Sequence, residues 1–569
     1  MENLLLMKYK FLTLLLFIAV FIEAQTENGL SNSFVKSDVL LQGYYWNCTP
    51  GGVWWDTLTG NSANLASALF DGVLIPSPSK GSSGKFSMGY DIYDHYDLGD
   101  YYQQGTTETR FGSKKKLLKL VEKLKAFNLN IYSDIVLGYV TGGEQFQKYE
   151  CSPKGIPDSS KLIFNYPNGS GRFKKDATFF YPNSGYCESD LFRRRISKIG
   201  DQKPEYFAFN RLFVQDSLIE YAKFLHNELN LSGFRLFQTN FLDVKFLETW
   251  IKTFSKQNIK SILDFTGDKN SQNILLADKD LINNSDVLIF DYELRNAFFE
   301  LCNDKKGVYD LSKLDDIGLI NKGIKPDKVL HFVETTEFDR TNYENTNEKS
   351  LGNIIRNKKY AYSYILFTEG IPSVFYRDYF HSDLRDYISK LILARAKYIK
   401  GKTLNRFDIN AFFIRDDKKQ NQSLLSKDIY ILHRSEKEDG SGAYLIINDS
   451  PTNAFQILSD TELPVGFKLK NITGGSSYAE VVKARAPGLK NKIRFVVSPA
   501  TAVVFVTDSY IQLNNPPAIQ KNDDIVTYTD TDFEFFISFS DANKDELTFE
   551  LNKAPNWLNL DEKGALRGT

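Results

Sequence analysis

Acidic side chains that could do chemistry lie in or directly after apolar runs of the sequence. Asp134 and Asp264 lie within two such runs, and Glu337 with Asp339 follows a third. Paired carboxylates can serve as general acid and general base when a fold brings them to one substrate. The alternative is a set of solvated carboxylates at strand ends. Arg235 lies in a fourth run, and we expect it to pair with Asp134, because buried charges need partners.

The elements that position these side chains alternate between short apolar runs and amphipathic stretches. The runs are Asp38–Trp46, Phe70–Pro76, Asn130–Val140, Ser232–Gln238, Ile259–Phe265, Asp286–Tyr292, Lys328–Glu334 and Gly370–Tyr376. Each is short and rich in β-branched or aromatic residues, which is typical of buried parallel strands. Helices are predicted between them, for example over Lys114–Phe127 and Asp216–Leu229. Residues 25–402 are therefore predicted to form an α/β fold, a (β/α)8 TIM barrel with its site at the C-terminal strand ends. A doubly wound open sheet is the alternative.

Two further segments are predicted from composition and alternation. Residues 141–209 are rich in Gly, Pro, Ser and Asn and are too long for a plain loop, which predicts a subdomain inserted after the third strand. Short alternating runs over residues 403–508, such as Ile429–Arg434 and Ala443–Asn448, predict a C-terminal β-sandwich. The Asn-Asn-Pro-Pro stretch of residues 514–517 is typical of a linker.

The last segment, residues 518–569, has a strand-like run over Asp532–Phe539 and then a turn over Asp541–Asp545. It resembles the immunoglobulin-like or cadherin-like repeats of exported bacterial proteins. We therefore expect a small β domain here, through which a protein partner could attach.

The N-terminus has the order of a secretory signal peptide. Lys8 and Lys10 precede the apolar run Phe11–Ile22, which ends near the small residue Ala24. This order predicts a signal over residues 1–24 and a secreted protein, extracellular or at the cell surface. A retained membrane anchor is the alternative, but the run is shorter than the roughly 20 residues that span a bilayer. We expect no membrane span after signal removal.

Charge and composition exclude some functions and favour others. Lys and Arg number 70 against 71 Asp and Glu, for a formal net charge of −1, so no basic excess indicates nucleic acid as a partner. Aromatic residues make up 14% of the chain, with 44 Phe and 31 Tyr. This content indicates either large packed cores or a carbohydrate binder whose aromatic faces stack on sugar rings.

The four cysteines fit an exported protein but do not define a disulfide scaffold. Cys151 and Cys187 flank one loop-rich stretch and could pair there, and the other two are Cys48 and Cys302. Four cysteines allow three connectivities, and the sequence does not choose among them. No two of them lie at the spacing of zinc ligands.

An ordered series of motifs spans the predicted barrel. It comprises Phe86–Asp94, Tyr96–Gly99, Gly105-Thr106, Arg110–Ser113, Ser133–Leu137, Gly233–Leu236, Phe290–Arg295 and Tyr360–Tyr362. In order and spacing the series resembles the α-amylases of glycoside hydrolase family 13. The resemblance implies a barrel followed by a C-terminal β-sandwich. It also implies retaining hydrolysis by a carboxylate nucleophile and an acid/base carboxylate about 5–5.5 Å apart, with a third carboxylate that helps to hold the distorted sugar.

The resemblance also locates the catalytic positions, and the chain departs from the family there. Phe237 stands at the nucleophile position, and phenylalanine can neither attack an anomeric carbon nor stabilise an oxocarbenium ion. The acid/base position aligns with Asp264, and the position of the third, stabilising carboxylate aligns with Glu337. Both are carboxylates of the wrong length, and small placement errors are expensive in catalysis. No intact catalytic set is expected.

Neighbouring positions that bind sugar or metal in the family are changed as well. Asn240-Phe241 and Thr335-Thr336 replace residues that usually contact sugar hydroxyls, and Gly138-Tyr139 replaces Asn-His on the third strand. The asparagine is usually a calcium ligand. A calcium ion would therefore lack that ligand at Gly138, with Asp201 as one remaining candidate oxygen donor.

Aromatic residues and Arg235 give the expected substrate contacts. Tyr90 aligns with the tyrosine that stacks on the sugar at the cleavage point in the family, and a packing role is the alternative. Trp54 and Trp55 follow the first strand in a Gly-rich loop, where an exposed pair would suit glycan stacking. The alternative is burial of one of them against the barrel. His331 is interpreted as structural.

Three functions follow from the sequence. The first is a secreted, catalytically inactive α-amylase homologue that binds α-glucan or another glycan in extracellular carbohydrate metabolism. The second is a glycoside hydrolase of residual or altered activity, for instance inverting, that uses Asp264 and Glu337. The third is an exported structural or partner-binding protein, for which we expect Phe237, Phe241 and Tyr139 to plug the barrel mouth.

Overall fold

A computed structural model describes residues 19–21, 37–148, 159–181, 203–265, 269–340, 352–405, 409, 411–414, 427–484, 488–507, 518–519, 533–536, 539–540, 549–552, 554–561 and 565–568. The chain divides into two compact units, one of Val35–Tyr510 and one that combines Met1–Phe34 with Ile511–Thr569. Several predicted features lie outside the described residues: Cys151, Cys187, Asp201, the linker 514–517 and the turn 541–545.

In the described part of the larger unit, eight parallel strands close into a barrel. They are β1 (Leu40–Gln42), β2 (Gly72–Ile75), β3 (Asn130–Ile135), β4 (Gly233–Leu236), β5 (Lys260–Leu263), β6 (Val287–Phe290), β7 (Val329–Phe332) and β8 (Ile371–Phe375). The strands pair in chain order, and β8 pairs with β1 through Ser373 with Leu40 and Val374 with Leu41. The predicted barrel is thus confirmed. The alternative of an open sheet is wrong, because closure leaves the sheet without an edge.

Helices separate the strands, as the alternation predicts. They are α1 (Trp54–Ser67), α2 (Lys114–Ala126), α3 (Leu212–Leu229), α4 (Val244–Ser255), α5 (Lys269–Ala277), α6 (Lys279–Asn283), α7 (Tyr292–Asn303), α8 (Thr336–Arg340), α9 (Lys358–Phe367), α10 (Tyr376–Phe380) and α11 (Arg385–Lys397). Short 3-10 helices cover Gly84–Phe86, Ala177–Phe179, Thr239–Phe241, Leu311–Asp315 and Pro326–Lys328. Among the helices of the described residues, none is long and apolar enough to cross a membrane.

Helix α4 illustrates how the barrel core is built. The Asp243 carboxylate caps its N-terminus by accepting a hydrogen bond from the Phe246 N–H at 3.1 Å. Apolar residues recur every three or four positions, so one face of the helix is apolar and buried. The buried residues are Phe246, Leu247, Trp250, Ile251 and Phe254. The Trp250 indole N–H also donates to Ser261 Oγ in β5 at 3.1 Å. Helix packing of this kind fixes where the strand ends lie.

Two short antiparallel strand pairs lie between β3 and β4 in the described residues. Tyr139–Val140 pairs antiparallel with Glu205–Tyr206, and Gln145–Lys148 pairs antiparallel with Ser159–Ile163. Most of this segment falls within residues 141–209. The boundaries of the inserted subdomain stay a prediction.

A nine-stranded antiparallel sheet follows the barrel in the described residues. Its strands are β9 (Lys402–Asn405), β10 (Phe412–Ile414), β11 (Ile429–Ser435), β12 (Ala443–Asn448), β13 (Phe455–Thr461), β14 (Lys468–Asn471), β15 (Tyr478–Val482), β16 (Asn491–Val497) and β17 (Thr501–Val506), in the order β9-β11-β12-β17-β14-β15-β16-β13-β10. Leu445 and Val504 join the barrel core, whereas Ile446 and Phe495 belong to a separate core. The predicted antiparallel C-terminal β structure is confirmed.

The smaller unit contains short antiparallel strands. Ala19–Phe21 pairs with Glu550–Asn552, Ala518–Ile519 pairs with Phe539–Ser540, and Ala565–Gly568 lies between Phe533–Phe536 and Leu558–Leu560. Ala19–Phe21 falls inside the predicted signal of residues 1–24, so cleavage after residue 24 would remove this strand. The signal peptide and the immunoglobulin-like domain both stay predictions.

Two of the four cysteines lie in the described residues. Cys48 and Cys302 are buried and form no disulfide. Burial raises the pKa of each thiol to about 12. Cys151 and Cys187 lie outside the described part, and their pairing stays a prediction.

Replacing Trp250 with alanine is expected to lower the free energy of unfolding by about 3–5 kcal/mol, because the variant loses buried apolar contacts and leaves a cavity. Denaturant unfolding followed by circular dichroism measures the loss. The matched control is Lys252→Ala on the exposed side of α4, for which the change stays within about 0.5 kcal/mol. Equal losses in both variants would contradict the packing described for α4.

Candidate functional site

A buried guanidinium lies near the C-terminal ends of the barrel strands. Arg235 in β4 is fully buried and, among the described side chains, contacts three carboxylates. Its Nη2 lies 2.5 Å from Asp264 Oδ2 and 3.1 Å from Glu337 Oε2, and its Nη1 lies 3.4 Å from Asp134 Oδ2. Arg235 therefore pairs with Asp134 as expected, but it also pairs with Asp264 and Glu337. Asp264 is the closer partner, because it also accepts a hydrogen bond from Nε at 3.0 Å.

Two tyrosine hydroxyls bond Asp134. Tyr44, which lies shortly after β1, donates to the Asp134 carboxylate and accepts a hydrogen bond from Arg235 Nη1 at 2.9 Å. Tyr90 donates to Asp134 Oδ2 at 2.9 Å. Tyr44 thus links the guanidinium to the carboxylate that lies farthest from it.

A third tyrosine bonds Asp264. Tyr292 is the first residue of α7, two residues after the end of β6. Its hydroxyl donates to Asp264 Oδ1 at 2.5 Å. The Asp264 N–H donates to Thr239 Oγ1 at 2.8 Å. Sequence reasoning missed Tyr44 and Tyr292. The available signal was their position just after barrel strands, where side chains converge on one rim.

Burial and the neighbouring charges set the protonation of this cluster. Burial raises the pKa of Asp134 to about 6, although the charge of Arg235 and the hydrogen bond from Tyr44 act in the opposite direction. Burial alone would lower the pKa of Arg235, but the charges of Glu337, Asp134 and Asp264 outweigh it and raise that pKa above its ordinary value. Burial also raises the pKa of the three tyrosines, so their hydroxyls remain donors.

Phe237 lies beside this cluster, directly after β4. Its ring stacks on the Tyr90 ring, with the centroids 4.1 Å apart and 25° between the planes. Tyr90 is also parallel to Trp46, with the centroids 6.1 Å apart. Only 3% of Tyr90 and 8% of Phe237 is exposed. The Phe237 ring therefore covers a Tyr90 face that a sugar would need for stacking, and Tyr90 has the packing arrangement that the sequence left as the alternative.

A second aromatic group lies over β3 and β4. The rings of Tyr139 and Tyr206 have centroids 5.7 Å apart, and those of Tyr206 and Phe241 lie 5.9 Å apart. Tyr139 is buried and Phe241 is partly buried. Phe237 and Tyr139 are thus buried and Phe241 is partly buried, in two separate ring contacts, and the plugged-mouth hypothesis stays a prediction.

The sequence and the fold of this chain are similar to those of known proteins. No family model matches the chain. The α-amylase of Bacillus licheniformis is 26% identical over 446 residues, which cover 70% of this chain and 83% of the relative. The glucan 1,4-α-maltohexaosidase of Bacillus sp. strain 707 is 25% identical over 416 residues, which cover 65% and 77%. The solved α-amylase of Geobacillus thermoleovorans, complexed with acarbose, superposes with a TM-score of 0.54 at 15% identity, over 83% of this chain and 96% of that one, and shows a shared fold.

The chain is homologous to α-amylases. It shares with them the barrel and the β domain that follows it. Against that background, the phenylalanine at position 237 and the guanidinium shared by Asp134, Asp264 and Glu337 are the features of the site that need a physical account.

Position 138 of this α-amylase homologue does not fit a calcium ion. Gly138 has no side chain, and its carbonyl oxygen already accepts a hydrogen bond from the Phe207 N–H at 3.1 Å. A Cβ at this position would meet the Phe241 Cβ at 3.4 Å. Within the described ranges, no group of three or more His, Cys, Asp or Glu side chains could hold a metal ion. Asp201, the remaining candidate, lies outside those ranges.

Trp54 and Trp55 do not form the exposed pair that would suit glycan stacking. Trp54 is buried, its indole N–H donates to the Gly43 carbonyl at 3.2 Å, and its ring lies 5.0 Å from that of Tyr376. Trp55 is buried against Phe111, with centroids 5.2 Å apart. The expectation of exposure is wrong for both, because α1 turns each indole into the barrel packing.

Asp339 and His331 do not join the Arg235 cluster. Asp339 lies 3.1 Å from Arg377 Nε, and burial raises its pKa to about 6 although the charge of Arg377 lowers it. Asp264, Glu337 and Asp339 therefore do not form one constellation, since they are divided between two arginines; nor are they a set of solvated carboxylates, because Asp264 is fully buried and only 7% of Asp339 is exposed. His331 is buried in β7, and burial lowers its pKa to about 3, which keeps the ring neutral. This agrees with a structural role.

Replacing Arg235 with methionine is expected to destabilise the protein by about 3–5 kcal/mol near neutral pH, because it leaves buried carboxylates without their cation. The carboxylates would then have folded-state pKa values above their unfolded values of about 4. Their unfavourable contribution would be absent below that pH and would grow as the pH rises through the folded-state pKa. Denaturant unfolding of Arg235→Met at pH 4.5 and pH 8 measures the difference from wild type.

The control for this experiment is Arg356→Met, which removes an exposed arginine and should give a small, pH-independent change. A loss in Arg235→Met that does not increase with pH would contradict the assigned charge network.

Proposed function

We propose that the chain is a secreted α-amylase homologue that does not hydrolyse glycosidic bonds and that binds α-glucan or a related glycan. The observation that carries the loss of hydrolysis is the stack of Phe237 on Tyr90 at 4.1 Å. A hydrocarbon ring lies where a nucleophile would have to approach the sugar. The face of Tyr90 is covered by the same ring.

The engagement of the other two candidate carboxylates supports this proposal. Asp264 Oδ2 and Glu337 Oε2 contact the same Arg235 Nη2 atom, at 2.5 and 3.1 Å. Oxygens that share one nitrogen lie too close for an inverting pair, whose carboxyl groups are about 6.5–9.5 Å apart. A retaining mechanism needs a nucleophile and a general acid, and here one guanidinium holds both carboxylates. The geometry therefore disfavours the hydrolase that would use Asp264 and Glu337.

The glycan part of the proposal rests on homology and on aromatic content. The relatives include α-amylases and a protein named for acting on 1,4-α-glucan. Aromatic residues make up 14% of the chain. Since Phe237 covers one face of Tyr90 and Tyr139 is buried, we assign binding to a surface away from these side chains.

An exported structural or partner-binding protein is the second candidate function. The burial of Phe237 and Tyr139 supports it, because the sequence predicts a plug of these side chains for such a protein. Partner attachment through residues 518–569 belongs to this alternative. Absence of glycan binding would select it.

Purified wild-type protein is expected to release no reducing ends from soluble starch above the background of a heat-treated sample, because no nucleophile is present. Phe237→Asp is expected to remain inactive as well, since Asp264 is one methylene shorter than the family's acid and stays bound to Arg235 and Tyr292. A reducing-end assay with a working α-amylase as positive control checks both. Release of sugar by wild type that Asp264→Ala abolishes would establish the hydrolase instead.

The full chain is expected to bind maltoheptaose or soluble starch and not a β-linked glucan of similar length. Isothermal titration calorimetry and affinity electrophoresis in starch-containing gels measure this directly. The β-linked oligosaccharide controls for non-specific interaction with aromatic side chains. Failure to bind any α-glucan at millimolar concentration would remove the glycan function and leave the partner-binding alternative.

A further inference from the structure

The loops that follow β2 present three exposed aromatic side chains. Phe86 is 66% exposed, Tyr101 40% and Tyr102 69%. Single exposed aromatics are common on protein surfaces and need no explanation. Here three of them lie on two loop segments, one around Phe86 and one around Tyr102, that contact each other.

Close backbone approach joins the two segments. A Cβ at Gly84 would lie 2.2 Å from the carbonyl oxygen of Gln104, so only glycine permits this contact. Gly84 also has a φ of 56°, which glycine adopts without strain. Phe86 and Tyr102 each lie two residues from this contact. The two loop segments that carry the exposed aromatic side chains are therefore neighbours.

A buried lysine holds the segment of Tyr101 and Tyr102. Lys80 forms an ion pair with Asp97 at 3.3 Å, and both side chains are fully buried. Its Nζ donates to the carbonyl oxygens of Tyr101 at 3.2 Å, Thr106 at 3.0 Å and Thr107 at 2.6 Å. The Lys80 ammonium group is held in place by Asp97, and its three hydrogen bonds in turn hold the backbone of the segment that carries Tyr101 and Tyr102.

A buried arginine holds the segment of Phe86. The Arg110 guanidinium donates to the Phe86 carbonyl at 3.2 Å, and through Nε and Nη2 to the Cys48 carbonyl at 2.9 and 2.7 Å. The aromatic side chains are therefore presented by ordered backbone, which reduces the ordering cost of binding a ligand.

We propose that the surface of Phe86, Tyr101 and Tyr102 binds an α-glucan chain through stacking of sugar rings on these aromatic faces. This assignment rests on the glycan-binding function proposed above and names the surface that would bind the glycan. The exposed large apolar side chains of this surface are all aromatic, whereas a surface for a protein partner would also present aliphatic ones. Exposed Lys85 and Asp100 carry opposite charges, which suits a neutral polymer, and the exposed amide of Gln104 supplies hydrogen bonds to hydroxyls.

The test compares wild type with the double variant Phe86→Ala/Tyr102→Ala in the full chain, by affinity electrophoresis in soluble starch and by titration with maltoheptaose. The expected result is at least a tenfold loss of affinity in the double variant. Both side chains are mostly exposed, so the melting temperature should stay that of wild type. The matched control is Phe146→Ala, which removes a ring that is 71% exposed on the separate strand Gln145–Lys148 and should leave affinity unchanged.

Each outcome of this comparison decides one proposal. If wild type binds α-glucan and the double variant binds equally well, the surface assignment is wrong and the proposed function stands. Trp46→Ala at the barrel mouth then shows whether the mouth binds instead. If wild type binds no α-glucan, both proposals are wrong.

Discussion

One buried guanidinium determines the arrangement at the centre of this barrel. A charge in a protein interior loses several kcal/mol of hydration and needs opposite charges and hydrogen bonds in compensation. Among the described side chains, Arg235 has three carboxylates within 3.4 Å, so the cluster contains more negative than positive charge. Hydroxyl donors from Tyr44 and Tyr90 near Asp134, and from Tyr292 near Asp264, offset this excess. Because these groups come from seven different strands or the segments after them, the network couples β1 to β7 across the barrel interior.

The phenylalanine at position 237 is consistent with this charge balance. An aspartate there would add a further carboxylate next to a guanidinium that already serves Asp134, Asp264 and Glu337, and like charges repel strongly where the effective dielectric constant is low. Phe237 instead packs against Tyr90 at 4.1 Å and lies 5.9 Å from the Arg235 guanidinium carbon. A phenylalanine at this position therefore avoids an electrostatic repulsion that an aspartate would introduce.

The sequence predicted the barrel because strand and helix periodicity are local properties. Runs such as Asn130–Val140 and Ser232–Gln238 contain β3 and β4, and the helix predicted over Lys114–Phe127 matches α2 to within one residue. The register that places Asp134 beside Arg235 comes from the structure. Side-chain direction could not be predicted from periodicity either, because it depends on tertiary packing. For Trp54 and Trp55 the sequence left open an exposed pair or the burial of one, and the first turn of α1 buries both.

The choice of partners was equally beyond the sequence. Arg235 was expected to bond Asp134, its neighbour across β3 and β4, and the register does place the two side by side. The closer bond to Asp264 arises because β5 pairs with β4 on the other side and brings its C-terminal end within reach of Nη2. By contrast, Lys80 and Arg110 bond backbone carbonyls, and neither is among the residues that contact Arg235. Carbonyl acceptors are present whatever side chains occupy positions 237, 264 and 337. The backbone geometry of the Phe86 and Tyr102 loops therefore does not depend on the carboxylates around Arg235, so changes at positions 237, 264 and 337 would leave the proposed binding surface in place.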